Sequence, residues 1–131
     1  MASSQPGILA PVPPLARYVT YQLRPGADPR KGLRALRDAV DGDQTVAGFG
    51  LSLVSLLECG IDELRVFPEF SGFGLDVPST PAALWLWLRG KDRGEIYHRH
   101  CALDALLGDA FREDSVLDAF IHGGGRDITG Y

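Results

Sequence analysis

A metal or acid–base centre needs side chains of suitable type at spacings that bring them together, and this chain holds few. His98, His100, Cys101, Asp104 and His122 form its candidate metal group. His98 and His100 stand two apart on an expected helix, so they diverge by about 200°. His98 with Cys101, or His100 with Asp104, has usable helical spacing, yet each pair supplies two ligands where zinc takes three or four. The reading is therefore no metal. Asp62, Glu63, Glu69 and Asp76 lie in one long connection, and nothing in their spacing sets up an acid–base pair. Asp118 falls on an expected strand, on the side of Val116, Phe120 and His122. A buried acid there would be a functional candidate, but an edge-strand carboxylate facing water is the expectation. Gly48-Phe49-Gly50 is too short for a nucleotide loop and has no expected helix directly after it. Serine-hydrolase, Walker and His-Glu-x-x-His patterns are absent. The stretch Phe120 to Tyr131 is different in kind: a strand runs into Gly123-Gly124-Gly125, then Arg126-Asp127-Ile128-Thr129-Gly130-Tyr131. A Gly-rich exit from a strand is a common place for a site, because glycine accepts positive φ and lets other groups come close.

Composition narrows the classes. The 131 residues suffice for one domain with a real core, and 45% apolar with 23% charged residues is ordinary for a soluble globular domain. A formal charge of −4 gives no general pull towards nucleic acid or an anionic membrane, and neither is expected as a partner. Cys59 and Cys101 make no disulfide framework and fit a reducing compartment. Met1 to Gly7 lacks the basic and apolar regions of a secretory signal. The longest apolar run, Ala82 to Leu88, falls far short of the ~20 residues a spanning helix needs. A cytoplasmic protein is the expectation.

The elements that must position these residues read as follows. Residues 1–15 carry Pro6, Pro11, Pro13 and Pro14 and are expected to be an arm, ordered only against another surface; residues 16–131 form the domain. Arg17 to Leu23 alternates with period 2 and predicts a strand. Asp28 as N-cap, Pro29, and the stripe Leu33, Leu36, Val40 predict a helix ending at Asp41-Gly42. Its basic side, Arg30, Lys31, Arg34 and Arg37, is read as a solvated face. Val46 to Val54 is expected to be the second strand, with its glycines marking close backbone packing or a bulge. Ser55 to Pro81 is expected to be a long packed connection with a short helix or turn near Leu56 to Leu64. Ala83 to Arg89, apolar on both faces, predicts a central strand, with Leu84, Leu86 and Leu88 on one face and Trp85 and Trp87 on the other. Asp92 and Glu95 resemble a capping box for a helix to Leu107, stopped by Gly108 at the C′ position. Val116 to His122 closes the set. The order β-α-β-β-α-β is the ferredoxin-like pattern, an α+β fold with an antiparallel four-stranded sheet and helices on one face. The other face then requires cover from outside the unit, and a homodimer or higher assembly of this chain is the expected cover, with the arm free to cross to the partner.

With that order and its strings in hand, the chain resembles the N-terminal half of DyP-type (dye-decolourising) haem peroxidases. The matching strings are Ala16-Arg17-Tyr18-Val19, Val46-Ala47-Gly48-Phe49-Gly50, Leu84 to Arg89 and Phe120 to Tyr131, from about Leu9 onward. The resemblance implies one ferredoxin-like half of a two-half barrel whose haem sits in the other half. Gly130 and Tyr131 match the first two positions of the family's Gly-x-x-Asp-Gly motif, whose catalytic aspartate would follow, with the distal arginine and proximal histidine further on. No catalytic or haem-binding residue therefore transfers to this chain, and none of its histidines matches a haem ligand. The expectation is a truncated peroxidase portion, inactive and without haem by itself. The alternative is a dimeric, non-catalytic α+β-barrel binding or scaffold module.

Overall fold

The computed structural model describes residues 4–126. Along the chain come α1 (Pro6–Leu9), β1 (Leu15–Leu23), α2 (Arg30–Ala39), β2 (Thr45–Phe49), α3 (Leu51–Leu56), β3 (Phe70–Gly72), β4 (Leu75–Val77), β5 (Leu84–Gly90), α4 (Arg93–Leu107) and β6 (Phe111–Phe120). The main sheet runs β2-β5-β1-β6, antiparallel at every junction. This is the ferredoxin-like α+β arrangement expected. Arg17 to Leu23 falls within β1, and Ala83 to Arg89 coincides with β5 to within a residue.

Period 2 divides the sheet. Val19 and Tyr21 of β1 and Leu84, Leu86 and Leu88 of β5 point to one side and are buried with Leu36 of α2 and Ile96, Leu103 and Leu107 of α4. Burying one such aliphatic side chain contributes about 1.5–3 kcal/mol. The register sets Tyr18 beside Trp87 and Thr20 beside Trp85, so the aromatic residues occupy the outer face. Asp92 caps α4, its Oδ1 accepting from the Glu95 backbone N–H at 2.8 Å. Asp28 Oδ1 accepts from the Arg30 N–H at 3.0 Å, but the N-cap of α2 is Pro29 rather than the expected Asp28, so the helix starts one residue later than the sequence predicts.

Several expectations need correction. The run Val46 to Val54 is two elements: β2 stops at Phe49, and Gly50 opens α3, which buries Leu53 and Val54. A short apolar run fits both periods, and tertiary contact decided here. A Cβ on Gly50 would collide with the Ala82 carbonyl oxygen, so close backbone approach does fix this glycine. A helix thus does follow Gly48-Phe49-Gly50, but it spans only Leu51–Leu56, and Gly50 faces the 82–83 backbone. The connection to Pro81 is not packed: Phe67, Phe70, Phe73, Leu75 and Val77 are exposed, and β3 and β4 form a separate two-stranded hairpin. β6 begins at Phe111 rather than Val116, because backbone pairing with β1 carries the charged residues Arg112 to Asp114 into the strand. It ends at Phe120, leaving Ile121 and His122 outside. Gly108 ends α4 with φ −57°, not a left-handed cap.

The arm is ordered against this chain itself. Gly7 N–H donates to Gly42 O at 2.8 Å, and an Arg89 Nη2–H donates to the Pro11 carbonyl. The outer face is therefore covered at its β2 end by its own N-terminal residues and open towards β6, where Leu117 is 62% exposed.

Candidate functional site

On the helix side of the sheet, polar side chains converge where β1, β6 and α4 meet. Arg17 sits at an inward position of β1, in phase with Val19 and Tyr21, and its side chain is 12% exposed. The β1–β6 register sets Asp118 directly opposite. Arg17 donates from Nε to Oδ1 at 2.7 Å and from Nη2 to Oδ2 at 2.8 Å, a bidentate pair. Arg93, at the start of α4, adds a third contact from Nη2 to Oδ2 at 3.2 Å. The Arg17 hydrogen bonds hold the Asp118 carboxyl down to about 2, against a smaller opposing effect of desolvation. The same bonds raise Arg17. Asp118 is exposed on an edge strand, as expected, and near neutrality it is also the ionised partner of a buried cation. Such a carboxylate has no proton to give near neutrality, so it cannot serve as a general acid.

α4 places His100 one turn beyond Tyr97, above the same arginine. His100 is 8% exposed, and its Nδ1 lies 3.2 Å from Arg17 Nη1. Guanidinium donates only, so Nδ1 must accept and the proton sits on Nε2. Glu113 Oε2 lies 2.9 Å from Nε2 but off the ring N–H direction, leaving that buried nitrogen without an aligned partner among the described residues. Burial, with the charges of Asp104 and Glu113 nearby, pushes the Tyr21 phenol upward.

His100, Asp104 and Glu113 bring three ligand atoms within 4.8 Å of one another. Of the sequence candidates, His100 and Asp104 meet here, joined by Glu113, which its position in a charged run concealed. His98, Cys101 and His122 are exposed and do not join this group. A metal on Nε2 would demand the proton on Nδ1, where it would face the guanidinium donor against donor. The tautomer that satisfies Arg17 closes the site to a cation. Asp62, Glu63 and Glu69 lie exposed ahead of β3, and Asp76, exposed in β4, accepts from the Ser71 hydroxyl of β3.

The outer face carries a second group. Tyr18 stacks on Trp85 and Trp87 with ring centroids 5.8 and 6.0 Å away, and the Arg89 guanidinium lies 4.7 Å over the Trp87 ring. Beyond β6, Gly123, Gly124 and Gly125 take φ of +55°, +85° and +80°, a left-handed turn that glycine accepts without strain. Gly130 and Tyr131 lie outside the described residues. Arg17, Arg93 and Glu113 were missed as site residues; an arginine in phase with buried Val19 and Tyr21 was the one available signal.

No family model matches the chain, and no curated protein does. Solved structures do. The encapsulated DyP-type peroxidase from Mycobacterium smegmatis superposes with a TM-score of 0.81 at 22% identity, over 95% of this chain and 44% of that one. A variant of DypB from Rhodococcus jostii, in complex with heme, gives 0.82 at 18%, over 95% and 45%. The dye-decolorizing peroxidase from Bacteroides thetaiotaomicron gives 0.74 at 22%, over 93% and 45%. The fold is that of part of a DyP-type peroxidase. The chain spans under half the length of these neighbours, and at such identity the likeness concerns the fold. No helix among the described residues is long and apolar enough to cross a membrane.

Haem needs an apolar slot with an axial donor. Cavities of about 570, 420 and 330 Å³ are lined by no histidine, cysteine, methionine or tyrosine. His98 and His122 stand at the surface, and His100 Nδ1 is committed to Arg17. The described residues do not fit a haem.

Proposed function

We propose that the chain is the ferredoxin-like portion of a DyP-type haem peroxidase and that it contributes framework, not chemistry. In the complete assembly a second ferredoxin-like portion carries the haem and covers the outer face of Tyr18, Trp85 and Leu117. The observation that supports this most is superposition over nine tenths of this chain on less than half of each peroxidase. The polar cluster fits the role: Arg17 and Asp118 neutralise each other and tie β6 to α4, so neither is free to activate peroxide. Peroxide-driven oxidation of dyes or phenolic compounds would belong to the whole, with haem as cofactor. The free, exposed thiols of Cys59 and Cys101 favour the cytoplasm as its place of work.

The purified chain, mixed with haemin and hydrogen peroxide, is expected to bleach dye no faster than free haemin. Turnover well above that level overturns the framework role. The family reading is tested separately by the coding sequence after Tyr131: an Asp-Gly two residues on supports it, and any other pair there removes its motif. The exposed aromatic face also favours a second reading, a non-catalytic module in which another copy of the chain supplies the cover.

A further inference from the structure

The end of β5 gathers positive charge that its neighbours barely neutralise. The Arg89 side chain is 7% exposed, and a buried cation is costly unless an anion meets it. Its one carboxylate contact among the described residues is Asp43 Oδ1, at 3.4 Å and on a side chain that is 59% exposed. The other partners of the guanidinium are neutral: the Asp43 and Pro11 carbonyls and the face of Trp87.

Two more cations stand beside it. Arg99 follows Glu95 by four positions on α4, the spacing at which such residues pair along a helix. Arg99 turns to neutral acceptors instead. Its Nη1 donates to Gln44 O at 3.1 Å and Arg89 O at 3.0 Å, and its Nη2 to Gln44 Oε1 at 2.8 Å. A guanidinium carries five N–H groups, so the Nε–H and one Nη2–H of Arg99 have no partner among the described residues. Lys91, exposed between β5 and α4, forms no ion pair among them either. The adjoining Asp92 is engaged in capping α4. All three cations line one open cavity of about 420 Å³, with Glu95 as its single carboxylate and the arm prolines Pro11, Pro13 and Pro14 as an apolar wall. Three cations against one carboxylate run counter to the −4 of the whole chain. A cleft lined by one sign of charge focuses its field and draws in the opposite ion.

We propose that this cavity is an anion site and that it takes a phosphate monoester with a small apolar body. The excess of two positive charges matches a dianion. A phosphate monoester carries about −1.5 to −2 near neutrality, whereas a carboxylate would leave one charge over. Lys91 brings a mobile ammonium, and Arg99 brings the two N–H groups it has not used. Arg89 contributes the field of a fixed, buried charge and keeps its own hydrogen bonds. The proline wall receives the apolar part of the ester. The site is independent of the peroxidase reading, since nothing in it concerns haem or peroxide.

Calorimetric titration of the full chain with phenyl phosphate tests the site. Saturable one-to-one binding is expected, with a dissociation constant below about 1 mM. Lys91→Glu is expected to weaken it about tenfold or more. Lys31→Glu makes the same change of charge on α2, at a side chain 89% exposed, and is expected to alter binding by less than about twofold. Benzoate, with the ring but one charge, is expected to bind about tenfold or more weaker, and inorganic phosphate, without the ring, weaker than the ester. Absence of saturation, or equal weakening by the two substitutions, overturns the site. Benzoate or inorganic phosphate binding as tightly as phenyl phosphate overturns the assignment to a phosphate monoester.

Discussion

Arg17 and Asp118 show how a single buried charge organises its surroundings. An arginine in the inward phase of a strand needs an anion, and the strand register supplies one directly opposite. Asp118 is held down to about 2 in the folded chain, against ~3.9 unfolded. A carboxyl depressed on folding stabilises the fold above its unfolded value and loses that contribution as pH falls through the folded one. The window is therefore from about pH 5 down to about pH 2. With 36% of its side chain exposed, solvent screening limits the contribution to about 1 kcal/mol or less. Asp118→Asn is expected to lower the urea midpoint at pH 7 and to lower it clearly less near pH 2, where about half of the carboxyl is already protonated. An equal loss at both values would mean that the ion pair is not the cause. This pairing was not read from the sequence: the inward phase of Arg17 was passed over, and nothing local identifies a partner 101 positions away.

At the scale of elements, β5 carries the clearest test. Its two faces differ in burial, Leu86 being fully enclosed and Trp85 half-buried. Leu86→Ala is expected to cost about 2–5 kcal/mol. Trp85→Ala, despite the larger side chain, is expected to cost less than the ~3–5 kcal/mol of a fully buried tryptophan, because one side of the ring meets water. Denaturant midpoints rank the two; a larger loss at Trp85 would mean that the outer face is covered in solution. β5 was readable because a run that is apolar on both faces admits few other structures. β2 and α3 were not, since Val46 to Val54 satisfies either period and only the passage of the Ala82–Ala83 backbone past Gly50 separates them. β6 was shortened for the opposite reason: its charged first half has no hydrophobic pattern, and its pairing with β1 exists only in the folded sheet.

For the whole molecule, the decisive feature is the partly uncovered outer face. Tyr18, Trp85 and Leu117 leave apolar surface open between the arm and β6, and such patches are commonly interfaces. Self-association through this face is expected at micromolar concentration, detectable by light scattering and weakened about tenfold or more by Leu117→Glu. A monomer at that concentration would leave the second portion of a peroxidase as the cover.

Sequence alone determined the order βαββαβ, the two-faced character of β5 and the cap at Asp92, all set by neighbours within a few positions. Hydrophobic periodicity and backbone sterics act locally, so they can be read locally. Tertiary structure alone decided where the arm lies, which carboxylate neutralises Arg17, and that His100, Asp104 and Glu113 meet. Those outcomes depend on strand register and on which lone pair faces which donor, and both arise only when distant segments are brought into contact.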